Sequence, residues 1–265
     1  MRFTTIADAK RRTGLSYLGA LNSSSKIMKG VKKGIYTYIL YLAPAETSGY
    51  NVCMFSTKEC RAGCLATSGR AKMEAHAGKS VIQDARIKKT RLFFEHNQFF
   101  MDWMRAEILN AQLKAERKGF KFSVRLNGTS DIVWEDYRVY DYVNGFGKHI
   151  FDVFPNVQFY DYTKHPLRAI HNEIPNYQLT LSYSGKNELL CVKALDRGVN
   201  VAVVFDVKKG HDLPPTWNGY TIIDGDLSDY RPGDGDGVVV GLRWKDIADK
   251  QASEFVKNSQ FVVKV

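Results

Sequence analysis

Ile35-Tyr-Thr-Tyr-Ile-Leu-Tyr-Leu42, followed one loop later by Cys53-Met-Phe-Ser-Thr-Lys-Glu-Cys60-Arg-Ala-Gly-Cys64, is the stretch on which the reading of this chain turns. The first run is rich in aromatic and β-branched residues and predicts a strand. Residues 43–50, with Pro44, Ser48 and Gly49, predict the loop that delivers the chain to the cysteines. Three of the four cysteines lie in that short second run, and the fourth, Cys191, is far away in sequence. Thiols gathered at the exit of a strand can hold a metal centre with one coordination position left open, so Cys53, Cys60 and Cys64 are the candidate metal ligands.

Working outward, residues 71–118 carry apolar side chains at three-to-four spacing, the mark of helix. The span is too long for one helix, and His96-Asn97 predicts a break into two. After Gly119 short strand-like runs recur at 122–127, 157–162, 177–182, 199–205, 220–223 and 238–242, separated by helical or irregular stretches. With residues 35–42 this makes seven candidate strands. Strands alternating with helices predict an α/β protein with a mostly parallel sheet, here read as a partial TIM-type (β/α) barrel of about six or seven strands. Residues 1–34 read as a basic arm packed on that barrel, with eight Lys and Arg against the single acid Asp8. Nothing rich in proline, glycine or serine divides residues 35–265, which read as one barrel-like domain.

In a parallel barrel, functional groups collect at the C-terminal ends of the strands. The expected tips are Asn127-Gly-Thr-Ser-Asp131, Asp161-Tyr-Thr-Lys-His165 with Arg168 a turn later, Ser182-Tyr-Ser-Gly-Lys-Asn187, Asp206, Asp224-Gly-Asp226, and Arg243 with Lys245. Each tip taken alone can be a loop or a helix cap. The aspartate-rich turn from Asp224 to Asp236 lacks the spacing of a calcium loop.

The formal net charge of +10 suits a polyanionic partner, and residues 14–26, with their hydroxyls, glycines and Lys26, are a segment that can wrap phosphates. No run reaches the roughly 18 apolar residues of a membrane span, and the first residues lack a secretory layout, so the expectation is a cytoplasmic protein without a membrane partner. In that compartment clustered thiols are metal or redox groups rather than disulfides. Cys191, in the helical apolar run 188–195, reads as a buried core thiol. For the three clustered cysteines, spaced six and three residues apart, three readings stand: a cubane iron–sulfur cluster with one open iron, a zinc site completed by His76, or three unrelated thiols. Lys58 and Arg61 beside them favour thiolates.

Cys53, Cys60 and Cys64-Leu-Ala-Thr-Ser-Gly-Arg70, then Arg125-Leu-Asn-Gly-Thr-Ser-Asp131, then Phe159-Tyr-Asp-Tyr-Thr-Lys164, together with Tyr41-Leu-Ala-Pro-Ala45 and Ser48-Gly-Tyr50, resemble the phage and plasmid proteins of the gene product 88 type. That resemblance runs from about residue 14 to about residue 245 and implies a phage or plasmid origin, hence the cytoplasm of a host cell. More distantly the layout resembles radical S-adenosylmethionine enzymes, although their three-and-two cysteine spacing is here six and three. That likeness implies a [4Fe–4S] cluster on Cys53, Cys60 and Cys64, with Zn2+ as the alternative metal. It also implies S-adenosylmethionine contacts from Gly128, Thr129, Ser130 and Asp131, to which the strand tip at Ser182 adds a further cofactor-binding candidate. Asp131, Asp161, Lys164 and Arg168 are the expected substrate-positioning and catalytic residues, acting on a nucleic acid or nucleotide. Two other readings remain at this point. One is a zinc-stabilised nucleic-acid-binding protein serving replication or host takeover. The other is a metal-dependent nuclease using Asp131, Glu135, Asp161 and Asp206.

Overall fold

The aromatic and β-branched run does form a strand, Ile35–Leu40, and all six of its residues are buried in the computed structural model. The structure describes residues 3–22, 25–64, 80–140, 147–247 and 249–265. In chain order the elements begin with α1 (Ile6–Thr13), β1 (Gly19–Leu21), α2 (Ser25–Val31), β2 (Ile35–Leu40) and α3 (Lys58–Ala62). The middle of the chain forms α4 (Val81–Glu95), α5 (Asn97–Glu116), β3 (Lys121–Arg125), β4 (Val139–Tyr140), β5 (Gly147–Lys148), α6 (Ile150–Val153) and β6 (Gln158–Thr163). Then come α7 (Pro166–Ile170), β7 (Tyr177–Ser182), α8 (Glu188–Asp196), β8 (Val201–Phe205), β9 (Thr216–Trp217), β10 (Tyr220–Asp224), β11 (Val239–Arg243), α9 (Lys250–Lys257) and β12 (Val262–Val263).

The protein is mixed α/β with a large, mostly parallel sheet, and all seven sequence-read strands are present. The closure expected of a barrel is not seen: the strand order is linear, and among the described residues no closed barrel forms. Two compact units divide the chain, one of Met1–Cys53 with Val81–Phe159, the other of Met54–Ser80 with Tyr160–Val265.

In the first unit β1 runs antiparallel to β2, β2 runs parallel to β3, and β3 pairs with the opening residues of β6 through Ser123↔Gln158. Thr37 and Ser123, on neighbouring strands, join their hydroxyls at 2.9 Å. The two long helices break at His96, whose φ of −139° leaves helical geometry, at the place the sequence marks. Phe93, Phe99, Phe100, Trp103 and Trp134 are fully buried, and Phe93 meets Phe100 and Trp134 edge to face, each at 5.2 Å. Burying rings of this size stabilises the unit by about 1.5–3 kcal/mol each. Ahead of these elements, α1 is capped by Thr5 and ends at Gly14 in the left-handed region (φ +67°), where a side chain would be strained. The chain then lays Leu18 and Gly19 against Glu107 of α5, whose carboxylate accepts both of their N–H groups at 3.0 Å and the Tyr38 hydroxyl at 2.8 Å.

In the second unit β7, β8, β11 and β10 lie side by side and parallel, with β6 next to β7, β12 parallel to β8, and β9 antiparallel to β10. Val201, Val203, Phe205, Val239 and Val240 are buried, as suits strands covered on both faces. Cys191 of α8 is fully buried, as read from sequence, and burial pushes its thiol up to about 12. A thiol with so little thiolate is inert filler.

Candidate functional site

The first unit holds the exit of β2 and the Asn127–Asp131 loop against one another. After β2 the chain turns back on itself, with Gly49 N–H donating to Glu46 and Val52 N–H donating to Ala45, and this sets Cys53 at the end of a closed loop. Cys53 is half-buried and its N–H donates to the Asn51 side chain at 2.9 Å. The loop after β3 is fastened to this exit at three points. Gly128 N–H donates to Leu40 at 3.0 Å, Thr129 Oγ1 donates to the carbonyl of Leu42, and Asp131 N–H donates to Val52 at 2.8 Å. Parallel pairing of β2 and β3 is what puts both C-terminal ends on one side.

Asn127 organises that loop. It is 2% exposed, and its Oδ1 accepts from Ser130 Oγ, Ile132 N–H and the Trp134 indole N–H at 2.8, 3.0 and 3.1 Å. Its Nδ2 donates to the Ile132 carbonyl at 3.0 Å. The sequence places Asn127 in this strand tip but assigns a cofactor or catalytic role only to the four residues after it. Gly128 has its own constraint, because a Cβ there would lie 2.6 Å from the Leu40 carbonyl oxygen and 2.7 Å from the Tyr41 ring. Main chain cannot yield as a flexible side chain can. Gly128→Ala is therefore expected to lower stability by about 2–3 kcal/mol, read as a lower urea midpoint at unchanged slope.

The second unit holds Cys60 and Cys64, both half-buried, on and just beyond α3. Thr57 caps that helix, its hydroxyl accepting the Cys60 N–H at 3.2 Å. Arg61 turns back to Ser56 at 2.9 Å. Three contacts place this segment over strand ends. Phe55 lies on the His165 ring at 4.1 Å, two residues past β6. Glu59 pairs with Lys186, in the loop past β7, at 3.8 Å. A Cβ built on Gly63 would sit 3.5 Å from the ring of Trp244, the residue following β11, and 3.1 Å from Val256 of α9. The Glu59 carboxyl is held below the usual range by its own main-chain N–H and the Thr57 hydroxyl, helped by Lys186 and Lys58.

The other expected residues of this unit divide by surroundings. Lys164, just past β6, donates to the Tyr183 carbonyl at 3.2 Å, just past β7, and stands 5.0 Å from the Phe261 ring. Ser182 closes β7 half-buried, its carbonyl accepting from Asn187 at 3.2 Å. Asp161 is 1% exposed and accepts the Tyr177 hydroxyl at 3.0 Å, which in turn accepts from Arg168 of α7 at 2.8 Å. That relay fastens α7 to β6 and β7, so Asp161 and Arg168 are placed to orient the tip more than to reach a ligand. Farther along, Arg243 pairs with Asp224 and Asp226, and Lys245 with Asp226. Asp206 receives Lys257 and Lys264. These tips neutralise one another locally.

Among the described residues no group of three or more His, Cys, Asp or Glu side chains is assembled around a point that could hold a metal ion. His76, the fourth ligand of the zinc reading, lies outside the described residues, as does the whole run 65–79. No helix of the described residues is long and apolar enough to cross a membrane.

One feature of the first unit escaped the sequence reading. Lys89 of α4 is 6% exposed, and its amine stands 4.3 Å from the Tyr17 ring. Burial, with Arg86 nearby and only partly offset by Glu107, lowers its pKa to about 8. Burial likewise raises the Glu107 carboxyl. A signal was available: Lys89 falls four residues after Ala85 and three and four before Leu92 and Phe93, on the stripe that helical spacing buries.

A family model described as gene product 88 matches residues 9–259. No curated protein and no solved structure matches the chain.

Proposed function

The chain belongs to the gene product 88 family, and on that premise we propose an iron–sulfur, radical-SAM-like phage enzyme acting on a nucleic acid or nucleotide in the host cytoplasm. The observation that carries the proposal is the seating of the Cys60–Cys64 segment over the ends of β6, β7 and β11 within the second unit, through His165, Lys186 and Trp244. Ligands in α/β proteins gather outside the carboxyl ends of the strands.

The donor set fits such a cluster by chemistry. Cys60 and Cys64 are half-buried thiols within reach of solvent, beside the cations Lys58 and Arg61, and cationic surroundings favour thiolate over thiol. Cys53, on the same short stretch, would be the third ligand, the three thiols being drawn together by the metal as sites coupled to binding are. Such a cluster, when bound, supplies one-electron chemistry to a sulfonium cofactor such as S-adenosylmethionine. The chain's own residues would do the rest. Gly128, Thr129 and Ser130 would offer backbone and hydroxyl groups to the cofactor, with Ser182 at the end of β7. Asp131 would orient the substrate, and Lys164 would supply a cation near its phosphate, held in place by the Asp161–Tyr177–Arg168 relay. A partial barrel of the TIM type is the arrangement this reading would assign to the parallel strands.

The test is metal and sulfide analysis after anaerobic purification. About four irons and four sulfides per chain, with broad brown absorbance, are expected, falling at least tenfold in Cys60→Ser and Cys64→Ser variants that keep the wild-type circular dichroism. A colourless protein carrying one zinc per chain would overturn the proposal in favour of a structural zinc site.

A further inference from the structure

We infer that the groove between α1 and α4 of the first unit binds the phosphodiester backbone of single-stranded nucleic acid. The class of ligand rests on the function proposed above; the place rests on residues that reading does not use.

The groove measures about 300 Å3 and is lined by Arg12 from the last turn of α1, Lys88 and Arg91 from α4, and His96 at the helix break, over a floor of Leu15 and Leu92. Each cation is held differently. Arg12 is steadied by Asp8, its Nε lying 3.0 Å from the carboxylate. Arg91 donates its Nε to the Ser48 carbonyl at 3.1 Å, which fixes the stem while its two terminal nitrogens bond to nothing else among the described residues. Lys88 is exposed and has no ion pair among the described residues. The acid in the lining, Glu95, is engaged by the Tyr50 hydroxyl at 3.3 Å. Positioned guanidinium and ammonium groups, with Arg12, Lys88 and Arg91 outnumbering the carboxylates Asp8 and Glu95, are the equipment for phosphate.

Two further observations select a single strand. The groove is small beside the grooves and backbone of a duplex, and it lies near an exposed ring: Tyr17, two residues past Leu15, is 50% exposed with one face covered by the Lys89 amine. A cationic track beside a ring braced on one face is how sequence-tolerant single-strand sites are built. The chain's net charge of +10 adds long-range attraction without fixing where the strand lies.

The experiment uses the whole chain and a fluorescently labelled oligo(dT) of about 20 nucleotides, with affinity read by anisotropy between about 50 and 200 mM salt. Lys88→Gln combined with Arg12→Gln should weaken binding about tenfold and reduce the slope of log K against log[salt] by about 1.4, two contacts at about 0.7 each. Lys88→Glu alone should weaken it as well; that exposed side chain has no ion pair to lose among the described residues, and unchanged circular dichroism separates lost binding from misfolding. Lys208→Gln with Lys209→Gln removes the same charge from an exposed loop of the second unit, and should leave affinity within about twofold. Equal losses in the groove and loop variants, or a wild-type protein that binds no single strand, would overturn the inference. Iron analysis is independent of these readings: a protein without iron that still binds through the groove loses the enzyme proposal and keeps this site, and the converse pattern does the reverse.

Discussion

Asn127→Ala is expected to lower the stability of the folded chain by about 3–5 kcal/mol, one of the two largest effects we foresee. The side chain is buried and makes at least four hydrogen bonds, three of them accepted by Oδ1 and one donated by Nδ2. Truncation strands the Trp134 indole N–H and the Ile132 N–H and carbonyl in surroundings that water does not reach. An orphaned buried donor or acceptor costs about 1–3 kcal/mol, so the loss exceeds what the cavity alone would produce. Ser130→Ala removes one of the same bonds from a half-buried hydroxyl and should cost under about 1 kcal/mol. Urea unfolding of both variants checks the claim, the urea midpoint falling far more for Asn127→Ala. Equal midpoints would mean that Asn127 does not organise the loop. Because Gly128, Thr129 and Asp131 all bond to the β2 exit, the same variant should also disturb the approach to Cys53.

Lys89 sets the second large effect, one that depends on pH. The amine titrates near 8 in the folded chain and near 10.5 when unfolded. Between those values the unfolded state binds more protons, so this residue adds stability as pH rises from about 8 to about 10.5, and below 8 its buried charge is a burden. The full span is worth about 3 kcal/mol. Other groups pull the opposite way. The Cys191 thiol, pushed up to about 12, and the Tyr38 hydroxyl, raised well above its ordinary value by burial and Glu107, both hold protons in the folded state that the unfolded state releases. The net curve of the wild-type protein is therefore flattened, and only a difference isolates the lysine. Lys89→Met should be the more stable protein at pH 7, with its advantage shrinking by about 3 kcal/mol as pH approaches 10.5. A difference that stays constant with pH would show that Lys89 titrates normally.

How far the sequence carried the fold depends on which residues speak for themselves. Val-Ala-Val-Val-Phe and Ile-Tyr-Thr-Tyr-Ile-Leu state their structure through side-chain shape alone, and the helix break is written in the loss of apolar spacing at His96. Cys191 announced its burial by its apolar helical neighbours. By contrast, β1 consists of Gly19-Ala-Leu21, which has no strand propensity of note. It is made a strand by pairing with β2 and by Glu107, a residue far away in sequence that accepts the Gly19 N–H. Asn127 and Asp161 illustrate the same limit at the candidate site. An asparagine beside a glycine reads as a turn, and an aspartate in Tyr-Asp-Tyr-Thr-Lys reads as a strand tip. What separates a bracket from a ligand contact is which buried donors stand around it, and Trp134, Tyr177 and Arg168 reach those positions only through tertiary packing.

The seating of Gly63 against Trp244 and Val256 has a temporal consequence. During synthesis the thiols at 60 and 64 leave the ribosome long before the residues that will flank them exist, because the second unit is assembled from two separated lengths of chain. The nascent segment must wait, undocked, while the whole first unit is made and can fold, since domains tend to fold in order of emergence. Its closure depends on contacts of very long sequence separation, which form slowly. Maturation of the cysteine segment is accordingly a late event, and a chain stalled short of α9 would present those thiols to the cell without their packing partners.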